Sequence, residues 1–434
     1  MSCWLGMKGW SVSEGKRLVP RLRFPEFRRA EPWKPVSLGE ASTPVTERVR
    51  ERKFTPVSIS AGVGFVPQAE KFGRDISGNQ YQLYTLVSDG DFVYNKGNSL
   101  KFPEGCVYLL QDWGEVAAPN VFICFRLRKG FSNGFFQNCF EANAHGKQLK
   151  KHITSGARSN GLLNISREAF YGIEIPAPSL AEQQRIADCL SSMDELIAAR
   201  ARKVDALKAH KKGLMQQLFP REGETQPRWR FPEFLEAPDW KASSLGSFFG
   251  TTSGGTPSRS EASYWDGDIP WITTSLVDFG VITEAEEFIS DDGLNNSSAK
   301  LLPKGTILIA MYGQGKTRGQ VALLGVEAAT NQACAAVLPK AGIDSYFVFL
   351  SLTGRYDEFR RLSNSGGQEN LSQGLIRELP FAYPLAAEEQ KRIADCLTSL
   401  DDLINAATHE LETLKTHKKS LMQQLFPSAE ALEA

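Results

Sequence analysis

Apolar side chains recur along residues 182–220 at alternating intervals of four and three, through Ile186, Leu190, Met193, Ile197, Val204, Leu207, Leu214 and Leu218. Arg200 and Lys211 hold the two remaining positions of that stripe. Residues 389–427 repeat it through Ile393, Leu397, Leu400, Ile404, Ala407, Leu411, Leu414, Leu421 and Leu425, with Lys418 as its polar member. A stripe of period 3.5 is the narrow seam by which one helix packs on another. The spacing therefore predicts two long helices. Pro220 and Pro427 stop them, because proline lacks the amide hydrogen and clashes with the preceding turn. Ser179 with Glu182 three residues on predicts a capping box at the first start, and Pro384 marks entry to the second. At about 1.5 Å per residue each helix is roughly 55 Å long. The seams are strict and equal in length, so the expected arrangement is an antiparallel coiled-coil pair about a pseudo-twofold axis.

Elsewhere the pattern shortens to alternating apolar and polar residues broken by Gly, Pro and Asn, the signature of strands and turns. Thr55–Ser60, Phe92–Asn95 and Val121–Arg126 read this way in the first half, as do Thr306–Ala310 and Val321–Leu324 in the second. A helical stretch is expected over Tyr346–Leu362. Each half thus predicts an α/β domain on mostly antiparallel sheet, and the whole chain falls in the α+β class.

The two halves are copies. At an offset of 207, 25 of the 39 positions in Glu182–Pro220 and Glu389–Pro427 are identical. The same offset pairs Pro20–Phe27 with Pro227–Phe234, and Trp33-Lys34 with Trp240-Lys241. Between these blocks, residues 42–155 and 249–360 share almost nothing. A repeated scaffold carrying unlike inserts suits two similar partners and two different targets. The segments so defined are an N-terminal extension (1–19), a first domain (20–178), a first helix (179–220), a second domain (221–384), a second helix (385–427) and a tail (428–434).

Composition narrows the class. Hydrophobic residues make up 41% and charged residues 23% of 434, enough to bury real cores, and no run reaches the roughly 20 apolar residues of a membrane helix. The first fifteen residues lack the form of a secretory leader, so a cytoplasmic chain without membrane contact is expected. Seven scattered cysteines without a C-x-x-C pair suit buried thiols rather than a metal or disulfide framework. Fifty basic and fifty acidic residues cancel, which excludes a simple polycation coating nucleic acid. Charge is uneven, however: residues 35–160 carry 15 Lys/Arg against 11 Asp/Glu, and residues 241–370 carry 10 against 14.

Several polar loops carry side chains suited to base edges and phosphates. Asn95, Lys96 and Asn98 follow a strand; Arg158 and Asn160 precede the first helix; Gln314, Lys316, Thr317 and Arg318 lie between two strands; Gln368 sits in a glycine-rich stretch. Arg and Lys can bond guanine acceptors, while Asn and Gln can pair with adenine. Ala310–Thr317 imitates a phosphate-binding loop, but such a loop must open a helix, and here an apolar run reading as strand follows. No N-P-P-aromatic, D-P-P-Y or H-E-x-x-H stretch occurs, so no catalytic residue and no metal ligand is assigned.

The words Glu-Gln-x-x-Ile, then a long helix closing on Leu-Met-Gln-Gln-Leu-Phe-Pro, occur at Glu182–Pro220 and again at Glu389–Pro427. With Pro176-Ala177-Pro178 before the first copy, and Gly254–Ser258 and Tyr264–Trp271 opening the second insert, the chain resembles the specificity subunit of type I restriction-modification systems. Pro384 stands alone where the second copy would show Pro-x-Pro. The resemblance implies a non-enzymatic subunit whose two target recognition domains each read half of an asymmetric split site in double-stranded DNA. It implies helices that set the gap and dock two methyltransferase subunits, with restriction subunits joining them. No cofactor would be bound by this chain: S-adenosylmethionine would belong to the methyltransferase partner, ATP and Mg to the restriction partner. Two other classes stay open on sequence alone, a coiled-coil adaptor without DNA binding and a nucleotide hydrolase using the loop at Gly315.

Overall fold

The computed structural model describes residues 18–60, 62–97, 102–153, 163–313, 315–362 and 370–427. Both long helices form, over Leu180–Leu218 and Ala387–Leu425. The chain divides into two compact units that cut across them: Met1–Arg200 with Glu410–Ala434, and Ala201–His409. Each unit therefore owns the start of one long helix and the end of the other.

In the first unit the strands Ser42–Pro44, Ile123–Leu127, Asp91–Asn95 and Cys106–Leu109 form one antiparallel sheet, in that order. A second four-stranded sheet runs Gly64–Pro67, Thr55–Ser60, Glu115–Ala118, Thr85–Ser88, and its central pair is parallel. The main core gathers Phe92, Phe125, Phe135, Phe136 and Phe170 around Trp33. In the second unit a five-stranded sheet runs Thr251–Ser253, Cys334–Val337, Ile307–Ala310, Val321–Leu324, Val281–Ile282, beside a three-stranded one. The mostly antiparallel mixed sheets match the alternation in the sequence. The expected helix Tyr346–Leu362 is two helices instead, Ser345–Thr353 and Tyr356–Leu362. The break falls at Gly354, a weak helix former, and Arg355 turns back to bond Glu358 and the carbonyl of Pro380.

The repeated words outside the helices form one device, built twice. Lys34–Ser37 pairs with Glu174–Ala177, and Lys241–Ser244 with Pro380–Tyr383, each as a two-stranded antiparallel ribbon leading into a long helix. At the start of the first helix the buried Glu182 carboxylate takes both Nε and Nη2 of Arg23 at 2.7 Å and the indole N–H of Trp33 at 3.2 Å. Glu389 does the same with Arg230 at 2.8 and 2.6 Å and with Trp240 at 3.1 Å. The hydrogen bond to each carboxylate, opposed by partial burial, holds Arg23 and Arg230 above the ordinary arginine pKa. The capping box read at Ser179 is thus half-made: Ser179 Oγ accepts from the Glu182 amide at 3.4 Å, but the Glu182 side chain serves Arg23 and Trp33.

The neighbouring glutamine has a separate task. Gln183 Oε1 accepts from the amide of Ser132, the residue capping helix Asn133–Glu141. Gln390 Oε1 accepts from Asp344, which caps Ser345–Thr353. Glu-Gln therefore ties each long helix to the N-terminal block through one side chain and to a domain helix through the next.

The seam is the least exposed face of both helices. Ile186, Leu190, Val204, Ile393, Leu397, Ile404 and Leu411 are buried, and Met193, Ile197, Leu207, Leu400 and Leu414 are half-buried. Its polar members find anions: within the first unit Arg200 pairs with Glu410 at 3.0 Å and Lys418 with Asp194 at 2.7 Å, and within the second Lys211 pairs with Asp401 at 2.6 Å. Residue numbers that fall on one helix as they rise on the other define an antiparallel pair. Burial disfavours the Lys418 ammonium, but Asp194 and Glu141 outweigh it and its pKa lies above the ordinary lysine value. Lys211 and Lys418 are repeat equivalents, as are Asp194 and Asp401.

Candidate nucleic-acid interface

The sequence candidates separate once their surroundings are known. Asn98, Arg158, Asn160, Gln314 and Gln368 lie outside the described residues. Asn95 ends the strand Asp91–Asn95 half-buried, its Oδ1 accepting from the Gly97 amide at 2.8 Å and its Nδ2 donating to the carbonyl of Ile59 at 3.3 Å. Lys96 Nζ donates to the carbonyl of Ile165 at 2.8 Å. Both side chains brace loops from within, and either would have to leave a backbone acceptor to meet a base.

Lys316, Thr317 and Arg318 lie on the connection between Ile307–Ala310 and Val321–Leu324, which pair antiparallel. A strand–loop–strand offers no helix N-terminus, so the imitation of a phosphate-binding loop ends there. Tyr356 donates to the carbonyl of Lys316 at 2.7 Å and Arg360 to that of Gly315 at 2.6 Å, fixing the loop on the helix Tyr356–Leu362. Lys316 is exposed, while Thr317 and Arg318 are half-buried. This held tip presents one cation outward.

The opening of the second insert packs on itself. The Trp271 indole donates to the carbonyl of Gly255 at 3.0 Å, and the Arg259 guanidinium stacks 3.7 Å from the Trp265 ring centroid while pairing with Glu287. A Cβ at Gly254 would stand 1.8 Å from the carbonyl oxygen of Thr330, so only glycine fits. The thiols of Cys106, Cys124 and Cys334 are buried, and burial raises Cys106 and Cys334 to about 11 and Cys124 to about 12, which disfavours the thiolate.

Sequence reasoning passed over a cationic surface loop in the first unit, Arg48, Arg50, Arg52 and Lys53, all exposed. Four cations in six positions was the available signal, hidden because a tertiary contact, not a motif, gathers them on a cleft. Among the described residues no helix is long and apolar enough to cross a membrane.

The chain matches the type I restriction modification DNA specificity domain over residues 104–209 and 238–416. It is 27% identical over 289 residues to the type I restriction enzyme MjaVIII specificity subunit of Methanocaldococcus jannaschii, covering 64% of this chain and 67% of that one. It is 28% identical over 259 residues to the EcoR124I/EcoR124II specificity subunit of Escherichia coli, covering 57% of this chain and 60% of that one. In fold it is similar to the S subunit of the type I restriction-modification system from M. genitalium, with a TM-score of 0.57 at 17% identity over 95% of this chain and 100% of that one.

Proposed function

We propose a function for this chain from the fact that it belongs to the type I restriction modification DNA specificity family: it reads an asymmetric, two-part DNA site, one half with each domain, and carries the methyltransferase subunits to that site. The chain itself performs no chemistry. S-adenosylmethionine would be bound by the methyltransferase partner, and ATP with Mg by restriction subunits that join the complex. The long helices set the gap between the half-sites.

One observation carries this reading: the duplication keeps the scaffold and lets the rest diverge. The inserts share almost nothing, which suits two unlike half-sites. The long helices go further, because retention extends to side chains on their exposed surface. The exposed strip Arg185, Asp188, Ser192, Leu196 and Ala199 is identical to Arg392, Asp395, Ser399, Leu403 and Ala406. At about 100° per residue these five share one narrow face. The adjacent exposed face, Gln184, Ser191, Glu195, Ala198, Arg202, Asp205 and Ala209, differs from its copy at all seven positions. Arg185 and Arg392 have a structural task, pairing with Glu26 and Glu233. Leu196 and Leu403 are large apolar side chains left 41% and 55% exposed. Two identical strips fit two copies of one partner, the methyltransferase subunit, each setting a small apolar patch on the leucine and a cation against the aspartate.

Two measurements test this. Exchanging residues 249–360 for another recognition domain is expected to change one half of the methylated sequence, read by methylome sequencing, and leave the other half and its methylation intact. Alteration of both halves would refute the modular reading. For docking, Leu196→Asp or Leu403→Asp alone should leave one methyltransferase subunit per chain by native mass spectrometry, and the double variant none. Two subunits retained on the double variant would remove the strip from the interface.

A further inference from the structure

The cationic loop of the first unit is held more rigidly than a connection between strands requires. The Val49 amide donates to the carbonyl of Tyr84 at 3.0 Å, that of Arg50 to Gln82 at 3.3 Å, and that of Leu86 back to Glu47 at 2.8 Å. The Tyr81 hydroxyl closes the far side, donating toward the carbonyls of Arg52 and Phe54 and accepting from the Phe54 amide at 2.6 Å. Val49 is fully buried beneath the loop in a small core of its own with Tyr84, Leu86 and Ala117.

Two of the cations belong to that fixture. Arg48 donates to the carbonyl of Leu83 at 2.6 Å and to Thr85 Oγ1 at 3.2 Å. Arg52 bonds the Arg48 carbonyl at 2.8 Å and pairs with Glu47 at 2.7 Å. Glu47 is thereby neutralised, which leaves Glu51 as the exposed acid of the loop. Arg50 and Lys53 are different: both are exposed, and among the described residues neither side chain makes a hydrogen bond or an ion pair. Arg50 also sits at φ 53°, in the left-handed region that a residue with a Cβ rarely adopts. A strained backbone that holds an unpartnered arginine outward, on a fixed loop, is spatial order that the fold does not need. With Gln82 and Leu83 of the facing segment the loop lines an open cleft of about 860 Å³.

We infer that the loop Arg48–Lys53 is a phosphate-contacting site of the first domain, with Arg50 and Lys53 set against successive phosphates of duplex DNA. The inference rests on the DNA-reading function proposed above. The chemistry is that of a polyanion: after the internal pairs are made the loop keeps a net positive charge, and fixed cations bind phosphate without the ordering entropy that a mobile loop would lose. Phosphate contacts position a domain without reading sequence. The loop should therefore add affinity to every duplex alike, and the first domain, which has an excess of basic residues, leans on it.

Binding of the full-length chain to a random-sequence duplex across a salt series tests this. Counterion release gives a slope of about −0.9 in log K against log salt for each phosphate contacted. Arg50→Ala with Lys53→Ala is expected to flatten the slope by about one to two and to weaken binding at low salt on the order of tenfold. The exchange Arg50→Lys with Lys53→Arg should keep the wild-type slope, which separates lost charge from a disturbed loop. An unchanged slope in the alanine variant overturns the loop assignment alone. A wild-type chain that binds no duplex at low salt overturns it together with the DNA-reading function.

Discussion

Replacing Glu182 with alanine is expected to destabilise the first unit by about 3–5 kcal/mol, the usual consequence of removing one partner from a buried ion pair. The Glu182 side chain is 1% exposed and that of its partner Arg23 8%. Alanine would leave the guanidinium with the carbonyls of Ala30 and Glu31 but no anion, and would strand the indole N–H of Trp33, itself 2% exposed. An unsatisfied buried donor costs about 1–3 kcal/mol by itself. Glu182→Gln, which keeps the shape and one acceptor, should lose clearly less. Because the device is built twice, Glu389→Ala should have a similar effect on the second unit. Urea unfolding followed by hydrogen exchange assigns each loss to its unit, and a shift for Glu182→Ala within about 0.5 kcal/mol of wild type would show that the pair is not structural.

The second large effect is expected at the far end of the chain. Leu425 is 1% exposed in the core of the first unit, and the Phe426 ring lies 5.4 Å from that of Phe135 and 6.3 Å from Trp33. The amide of Leu22 donates to the carbonyl of Gln424, just as Trp229 donates to Gln217 in the second unit. Leu425→Ala with Phe426→Ala should cost about 5 kcal/mol or more, since buried Leu→Ala alone costs about 2–5. That is comparable with the whole stability of many domains. Hydrogen exchange should accelerate in the strands between Thr55 and Leu127, some 300 residues upstream, while Ile307–Val337 stays protected. Leu218→Ala with Phe219→Ala should give the reverse pattern. Faster exchange confined to residues 410–427 would mean that the helix end is only a cover.

Much of the scaffold was legible without coordinates, because a heptad stripe and an exact offset are properties of the chain alone. Any helix with that spacing must bury its seam, and two equal seams in one chain pair most simply with each other. The divergence of the inserts was equally plain, and so was the failure of the loop at Gly315 to open a helix. Loop chemistry was not legible. Asn95 and Lys96 looked like base readers, yet carbonyls of Ile59 and Ile165 hold them. A side chain's availability depends on which acceptors the fold brings beside it, and those come from residues far off in sequence.

The sequence by itself determined that this protein is a duplicated scaffold with two long, seamed helices and two unlike inserts rich in short strands. Tertiary structure decided what the repeated words are for: Glu182 meets Arg23 and Trp33, Gln183 holds the cap of a domain helix, and Leu425 completes a core that begins at Leu18. It decided as well that Arg50 stands unpartnered on a fixed loop while Arg48 and Arg52 are engaged by backbone carbonyls. The physical reason is the same throughout. Periodicity acts between neighbours along the chain and survives in one dimension, whereas burial, pairing and charge exposure are set by residues that meet only when the chain has folded.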